Sequence, residues 1–81
     1  MQVLDTSGLK CPLPVLKAKR AIKNVNPGEH LKVIATDPGA LKDFKHFCSA
    51  TGDTLESAIE EDNVLTFVIR KKWANTNIRI I

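Results

Sequence analysis

Leu55-Glu56-Ser57-Ala58-Ile59-Glu60-Glu61-Asp62-Asn63-Val64-Leu65-Thr66-Phe67-Val68-Ile69-Arg70 reads as two strands joined by a two-residue turn. Leu55, Ser57 and Ile59 alternate with Glu56, Ala58 and Glu60, which predicts a strand with one face in water. Val64 to Arg70 follows as a second strand, with Leu65, Phe67 and Ile69 on a common face. Only Asp62-Asn63 separates the tight ends of the two runs, so they must pair antiparallel. A chain ending this way carries at least one antiparallel pair, and a purely parallel sheet is excluded.

Working back from that hairpin, the rest of the chain alternates strand and helix. Met1 to Thr6 reads as a first strand around Val3 and Leu4, closed by Ser7-Gly8. Pro12 to about Val25 reads as a helix whose Val15, Ala18, Ala21, Ile22 and Val25 form one apolar stripe. Asn26-Pro27-Gly28 stops it. His30 to Thr36 is a second strand, with Leu31, Val33 and Ala35 on one face and Lys32 and Ile34 on the other. Asp37-Pro38-Gly39 then opens a second helix, with Asp37 expected as N-cap and Pro38 at its first position. Its stripe is Leu41, Phe44, Phe47 and Cys48, and Gly52 closes it.

The resulting order is βαβαββ. Helical crossovers allow parallel pairing early in the chain, and one-sided helices need one apolar sheet face. The predicted class is α+β: a two-layer α/β sandwich, a four-stranded mixed sheet with two helices on one face. Residues 1–72 form a single domain and 73–81 a C-terminal tail. In the tail, Trp73, Ile78, Ile80 and Ile81 are available to cover the open sheet face or to meet another chain.

Composition narrows the class without naming a function. The chain has 81 residues, 43% hydrophobic and 26% charged, so it forms one small globular domain. Two cysteines are too few for a disulfide scaffold, and no long apolar run or leader is seen, so a cytoplasmic protein with reduced thiols and no membrane segment is expected. The net charge of +3 is unevenly spread. Between Thr6 and Gly28 the charged residues are Lys10, Lys17, Lys19, Arg20 and Lys23, whereas Asp53 to Asp62 holds only acids. A basic first helix can attract RNA or an acidic protein surface.

The chemistry concentrates in Leu9-Lys10-Cys11-Pro12-Leu13-Pro14-Val15. Cys11 stands at the start of the first helix, where unpaired N–H groups and the positive helix end favour an anion. Such positions, with nearby cations, lower a cysteine pKa from about 8.5 to roughly 3.5–7.5. Pro12 and Pro14 stiffen the first turn, leaving the N–H groups of Leu13 and Val15 near the sulfur, and Lys10 adds positive charge. An exposed, anionic Cys11 is the expectation. Leu13 and Leu16 fall outside the apolar stripe, among Lys17, Arg20 and Lys23. They either pack beneath the Gly8 loop or the tail, or form a docking patch beside the thiol.

Asp5-x-x-Gly8-x-x-Cys11-Pro12-x-Pro14, Pro27-Gly28-Glu29, Thr36-Asp37-Pro38, Asp43, Phe47 and Ile69-Arg70-Lys71 together resemble the TusA (SirA-like) sulfur-carrier family, in order from about Leu4 to Lys71. The resemblance implies the βαβαββ sandwich and a persulfide on Cys11, accepted from a cysteine desulfurase or rhodanese-like donor and relayed to an acceptor protein. It implies sulfurtransferase-type chemistry in a relay protein rather than a complete enzyme. The outlet in the best-known branch is 2-thiouridine in tRNA, which links the carrier to tRNA indirectly; others are molybdenum-cofactor and sulfur-oxidation pathways. No cofactor is implied. Asp5 and Gly8 are expected to shape the loop before Cys11. The chain departs from many relatives at Gly52-Asp53, where a Gly-His pair is common, and in its longer, more apolar tail.

Rival readings are weaker on residue grounds. Cys48 lies on the apolar stripe of the second helix and is expected to be inert, not a disulfide partner of Cys11. His30 and His46 show no ligand spacing with the cysteines, so no metal site is expected. A thioredoxin-like redox motif would need Cys where Pro14 stands. The second functional class is a non-catalytic regulatory module that binds RNA or protein through the basic first helix; it lacks aromatic stacking residues on an exposed strand. A third is a sulfurtransferase with its own small substrate, for which no second catalytic group beside Cys11 can be named.

Overall fold

The computed structural model describes residues 2–72; the tail reading for 73–81 falls outside the described residues. Strands β1 (Gln2–Thr6), β2 (His30–Ala35), β3 (Thr54–Glu61) and β4 (Val64–Arg70) alternate with helices α1 (Leu13–Ile22) and α2 (Ala40–Thr51) in the predicted βαβαββ order. The sheet order is β1-β2-β4-β3. β1 and β2 pair in parallel, and β4 pairs antiparallel with both β2 and β3. Asp62 and Asn63 both have positive φ, 52° and 65°, as a two-residue hairpin turn of the favoured twist requires.

Both helices cover one sheet face. Ala18, Ile22 and Val25 from the α1 side meet Phe44, Phe47 and Cys48 from α2 over Leu31, Val33, Leu65, Phe67 and Ile69 of the central strands. Phe44 packs on Phe67 with ring centroids 4.7 Å apart and meets Phe47 edge-on at 6.3 Å. Aromatic pairs in these arrangements add to the burial of the rings themselves. The apolar stripes of both helices therefore lie where their periodicity places them. Leu41 and Val15 reach the core only in part.

Three local expectations are corrected. α1 begins at Leu13, with Pro12 as its N-cap and Pro14 in its first turn, and Val25 is reached by turns after the helix proper. α2 begins at Ala40 with Gly39 as N-cap, so Asp37 is not the cap; its carbonyl instead accepts the Ala40 N–H in a preceding turn. In β3 an irregularity between Leu55 and Ser57 breaks the alternation. Leu55 opposes core-facing Ile69, whereas Ser57 and Ile59 oppose Val68 and Thr66 on the open face, leaving Ile59 59% exposed. A bulge of this kind flips every later side chain to the other face.

The far end of β4 is tied down by a group that composition alone did not mark. Asp53, buried beside the left-handed Gly52 (φ 87°) that caps α2, accepts the Thr51 hydroxyl at 2.8 Å and the Lys72 N–H at 2.9 Å. Asp53 thus anchors the exit of the last strand.

Candidate functional site

β1 and β2 run parallel, so both of the helices that follow them start at the same edge of the sheet. Thr6 and Ala35 are register partners at that edge. The loops that follow must therefore lie side by side, the place where α/β sheets gather functional groups. They are stitched together: Gly8 N–H donates to Thr36 Oγ1 at 2.8 Å, and buried Thr6 donates its hydroxyl to Ile34 O at 2.6 Å.

The loop carrying Cys11 is shaped as expected. The Asp5 carboxylate accepts the Ser7 N–H at 2.9 Å, and these bonds to Ser7, the side chain first, hold its pKa below the ordinary value. Gly8 has φ 82°, a left-handed conformation that glycine adopts without strain. Leu9 N–H then closes a turn on Thr6 O at 3.1 Å. Cys11 emerges as an exposed free thiol, with Lys10 and Pro12 exposed beside it and Pro14 buried beneath. Cys48 is also free but buried in the core; burial, then the charge of Asp53, pushes its thiol up to about 11.

The electrostatics of Cys11 overturn the expectation of a stabilised anion. Its pKa is raised, first by donating a hydrogen bond to the Asp43 carboxylate, then by desolvation and by the charges of Asp43 and Asp37. The helix end does little to offset this. Cys11 precedes the N-cap, and the Leu13 N–H that was expected near the sulfur is spent on Lys10 O at 2.8 Å. Cys11 Sγ and carboxylate oxygens of Asp37 and Asp43 all lie within 4.8 Å of one another, with both aspartates half-buried. Three ligand atoms are fewer than a closed tetrahedral metal site uses, and the trio reads as a thiol set against two carboxylates. His30 is far from it in the fold, 2.8 Å from Glu56, which also meets Arg70 at 3.3 Å.

Residue reading alone did not bring Asp43 to the sulfur. The parallel β1–β2 pair offered the signal, because it forces the first turn of α2, where Asp43 sits, next to the first turn of α1.

Two surfaces flank the thiol. Leu13 and Leu16 are 45% and 49% exposed and line a hollow of about 390 Å³ with Lys17, Lys19, Arg20 and Lys23. They do not pack beneath the Gly8 loop, packing beneath the tail lies outside the described residues, and the four residues expected in a docking patch, Leu13, Leu16, Lys17 and Arg20, line one hollow. A second groove of about 520 Å³ runs between the helices from Pro12 past Leu16, Asp43, His46 and Phe47 to Ala50. No described helix is long and apolar enough to cross a membrane.

Comparison with known proteins extends this picture. The family described as sulfurtransferase TusA matches residues 2–71. The sulfur carrier protein TusA of Allochromatium vinosum is 49% identical over 70 residues, covering 86% of this chain and 92% of its own. That of Pseudomonas aeruginosa is 41% identical over 70 residues, covering 86% and 89%. A crystal structure of a SirA-like protein from Desulfitobacterium hafniense superposes with a TM-score of 0.75, covering 85% of this chain and 95% of its own at 22% identity, a likeness of fold.

Proposed function

Because the chain belongs to the TusA family, we propose that it is a sulfur carrier that accepts sulfane sulfur as a persulfide on Cys11 and passes it to an acceptor protein. The observation that carries this reading is the exposed Cys11 thiol on a rigid Cys-Pro-x-Pro turn, with the other cysteine sealed in the core. In acceptance, Cys11 sulfur attacks the terminal sulfur of a donor persulfide. The donor's S–S bond breaks as the new one forms on Cys11, and the donor's inner sulfur leaves as its thiol, taking up the proton. No oxidant is consumed, and an open surface serves two protein partners better than a closed cavity would.

The donor we assign is a cysteine desulfurase or rhodanese-like protein, and the outlet is 2-thiouridine formation in tRNA, on the family resemblance. A cytoplasmic setting accords with two free thiols. Incubation with a cysteine desulfurase and cysteine is expected to add about 32 Da per sulfur. Peptide mapping by mass spectrometry is expected to place it on Cys11 and not on Cys48. A wild-type protein that takes up no sulfur, or takes it up on Cys48, would overturn the carrier reading.

Partner docking is proposed at the hollow around Leu13, Leu16, Lys17 and Arg20, which suits a partner surface with acidic groups around apolar ones. Leu13→Asp places a carboxylate on that exposed patch and is expected to weaken donor or acceptor binding at least about tenfold, on the order of 1.4 kcal/mol, without changing thermal stability. Calorimetric titration checks this, and unchanged binding would refute the patch. The RNA-binding alternative gains no support from the described residues, since Phe44, Phe47 and Phe67 are all buried and unavailable for stacking.

A further inference from the structure

Sulfur transfer by itself does not account for two carboxylates facing the sulfur of a protein whose chemistry needs a thiolate. Asp37 comes from the β2–α2 loop and Asp43 from the first turn of α2, and both are half-buried, so neither is a freely swinging surface acid. Their oxygens and Cys11 Sγ lie within 4.8 Å of one another. Other charged or titratable groups nearby are Lys10, next to Cys11 in the chain, and Lys42 and His46 on α2, which line the groove with Asp43.

We propose that Asp43, backed by Asp37, is a positioning residue of the relay that holds the proton on Cys11 in the unbound carrier, so that the free protein presents a thiol and forms thiolate only in a partner's complex. This rests on Cys11 being the sulfur-carrying residue. The geometry supplies the mechanism: both carboxylates come within 4.8 Å of the sulfur, so ionising it would place an anion against them. The benefit is chemical. Oxidation and alkylation follow thiolate character and exposure, and Cys11 is exposed. The unloaded carrier, returning from acceptor to donor, is protected if its sulfur stays protonated on the way. In the complex the proton leaves Cys11 as its sulfur attacks, and it ends on the thiol released by the donor, so charge and atoms balance.

The test needs no sulfur donor, so its outcome is independent of whether loading succeeds. The rate of iodoacetamide alkylation is followed across pH by mass spectrometry of the Cys11 peptide, in folded wild type, Asp43→Asn and Asp37→Asn. Asp43→Asn is expected to move the midpoint of the profile to lower pH. The thiolate fraction rises more steeply than its nucleophilicity falls as the pKa drops, so alkylation at neutral pH is expected to be faster than in wild type. Asp37→Asn, which acts through charge alone, is expected to shift the midpoint in the same direction by less, and salt is expected to shrink that shift. Wild type is also compared with itself unfolded in urea, which keeps the question open to refutation should a variant fold poorly: the folded midpoint is expected to lie higher. A midpoint unmoved or raised in Asp43→Asn, or a folded wild-type midpoint at or below the unfolded one, would overturn the proposal.

Discussion

Phe67→Ala is expected to remove about 3–5 kcal/mol of stability, the range for deleting a fully buried phenylalanine. Phe67 has no exposed surface, opposes Val33 on β2 and Ala58 on β3, and stacks 4.7 Å from Phe44. It is thus the point where the sheet's central strand meets α2. A domain of 81 residues has on the order of 4–12 kcal/mol in total, so the variant sits near the edge of folding. The consequence reaches the site, because α2 carries Asp43 and the groove beside Cys11. Urea denaturation followed by circular dichroism checks the figure. A loss below about 1 kcal/mol would mean that the core is not organised around this ring.

Cys11→Ser is expected to abolish sulfur acceptance completely while leaving stability within about 0.5 kcal/mol of wild type, as for other exposed substitutions. Serine cannot form a persulfide, and the site has no substitute sulfur. Cys48 cannot stand in for it. It is buried in the core with its thiol pushed up to about 11, so about one molecule in ten thousand would be ionised at pH 7 even if a partner could reach it. Burial rather than residue type separates the two cysteines, and it predicts a single loading site.

The Leu55–Arg70 hairpin is legible in sequence because a two-residue turn leaves no alternative to antiparallel pairing, and the helices because their apolar residues recur with a helical period. Ile59 is not, because alternation assumes an unbroken pleat and the irregularity after Leu55 reverses it. The start of α2 reads two residues early because Asp-Pro-Gly satisfies a capping pattern that the backbone uses for a turn instead. At the site, Cys11, Asp5 and Gly8 are legible as a local loop, and Leu13 and Leu16 as spare apolar groups on a basic face. The charge state of the sulfur is not. Its bias toward the thiol comes from Asp43 and Asp37, 32 and 26 positions further along, and local reading of a helix start cannot count partners that arrive through strand pairing. A helix end does favour an anion, but Cys11 stands just before the cap, and the two carboxylates within 4.8 Å of its sulfur outweigh it there.

If sulfur rests on Cys11 and is handed on, a single-turnover chase will show it moving. The carrier is loaded from a desulfurase with cysteine labelled at sulfur, separated from the donor, and mixed with a sulfur-acceptor protein, and the label on each protein is followed on non-reducing gels. Wild type is expected to hold a label released by reductant, to keep it when alone, and to lose it to the acceptor at a rate that rises with acceptor concentration. Cys11→Ser is expected to carry none. Label that stays on the carrier in the presence of acceptor, or a relay undiminished in Cys11→Ser, would mean that Cys11 does not carry sulfur between proteins.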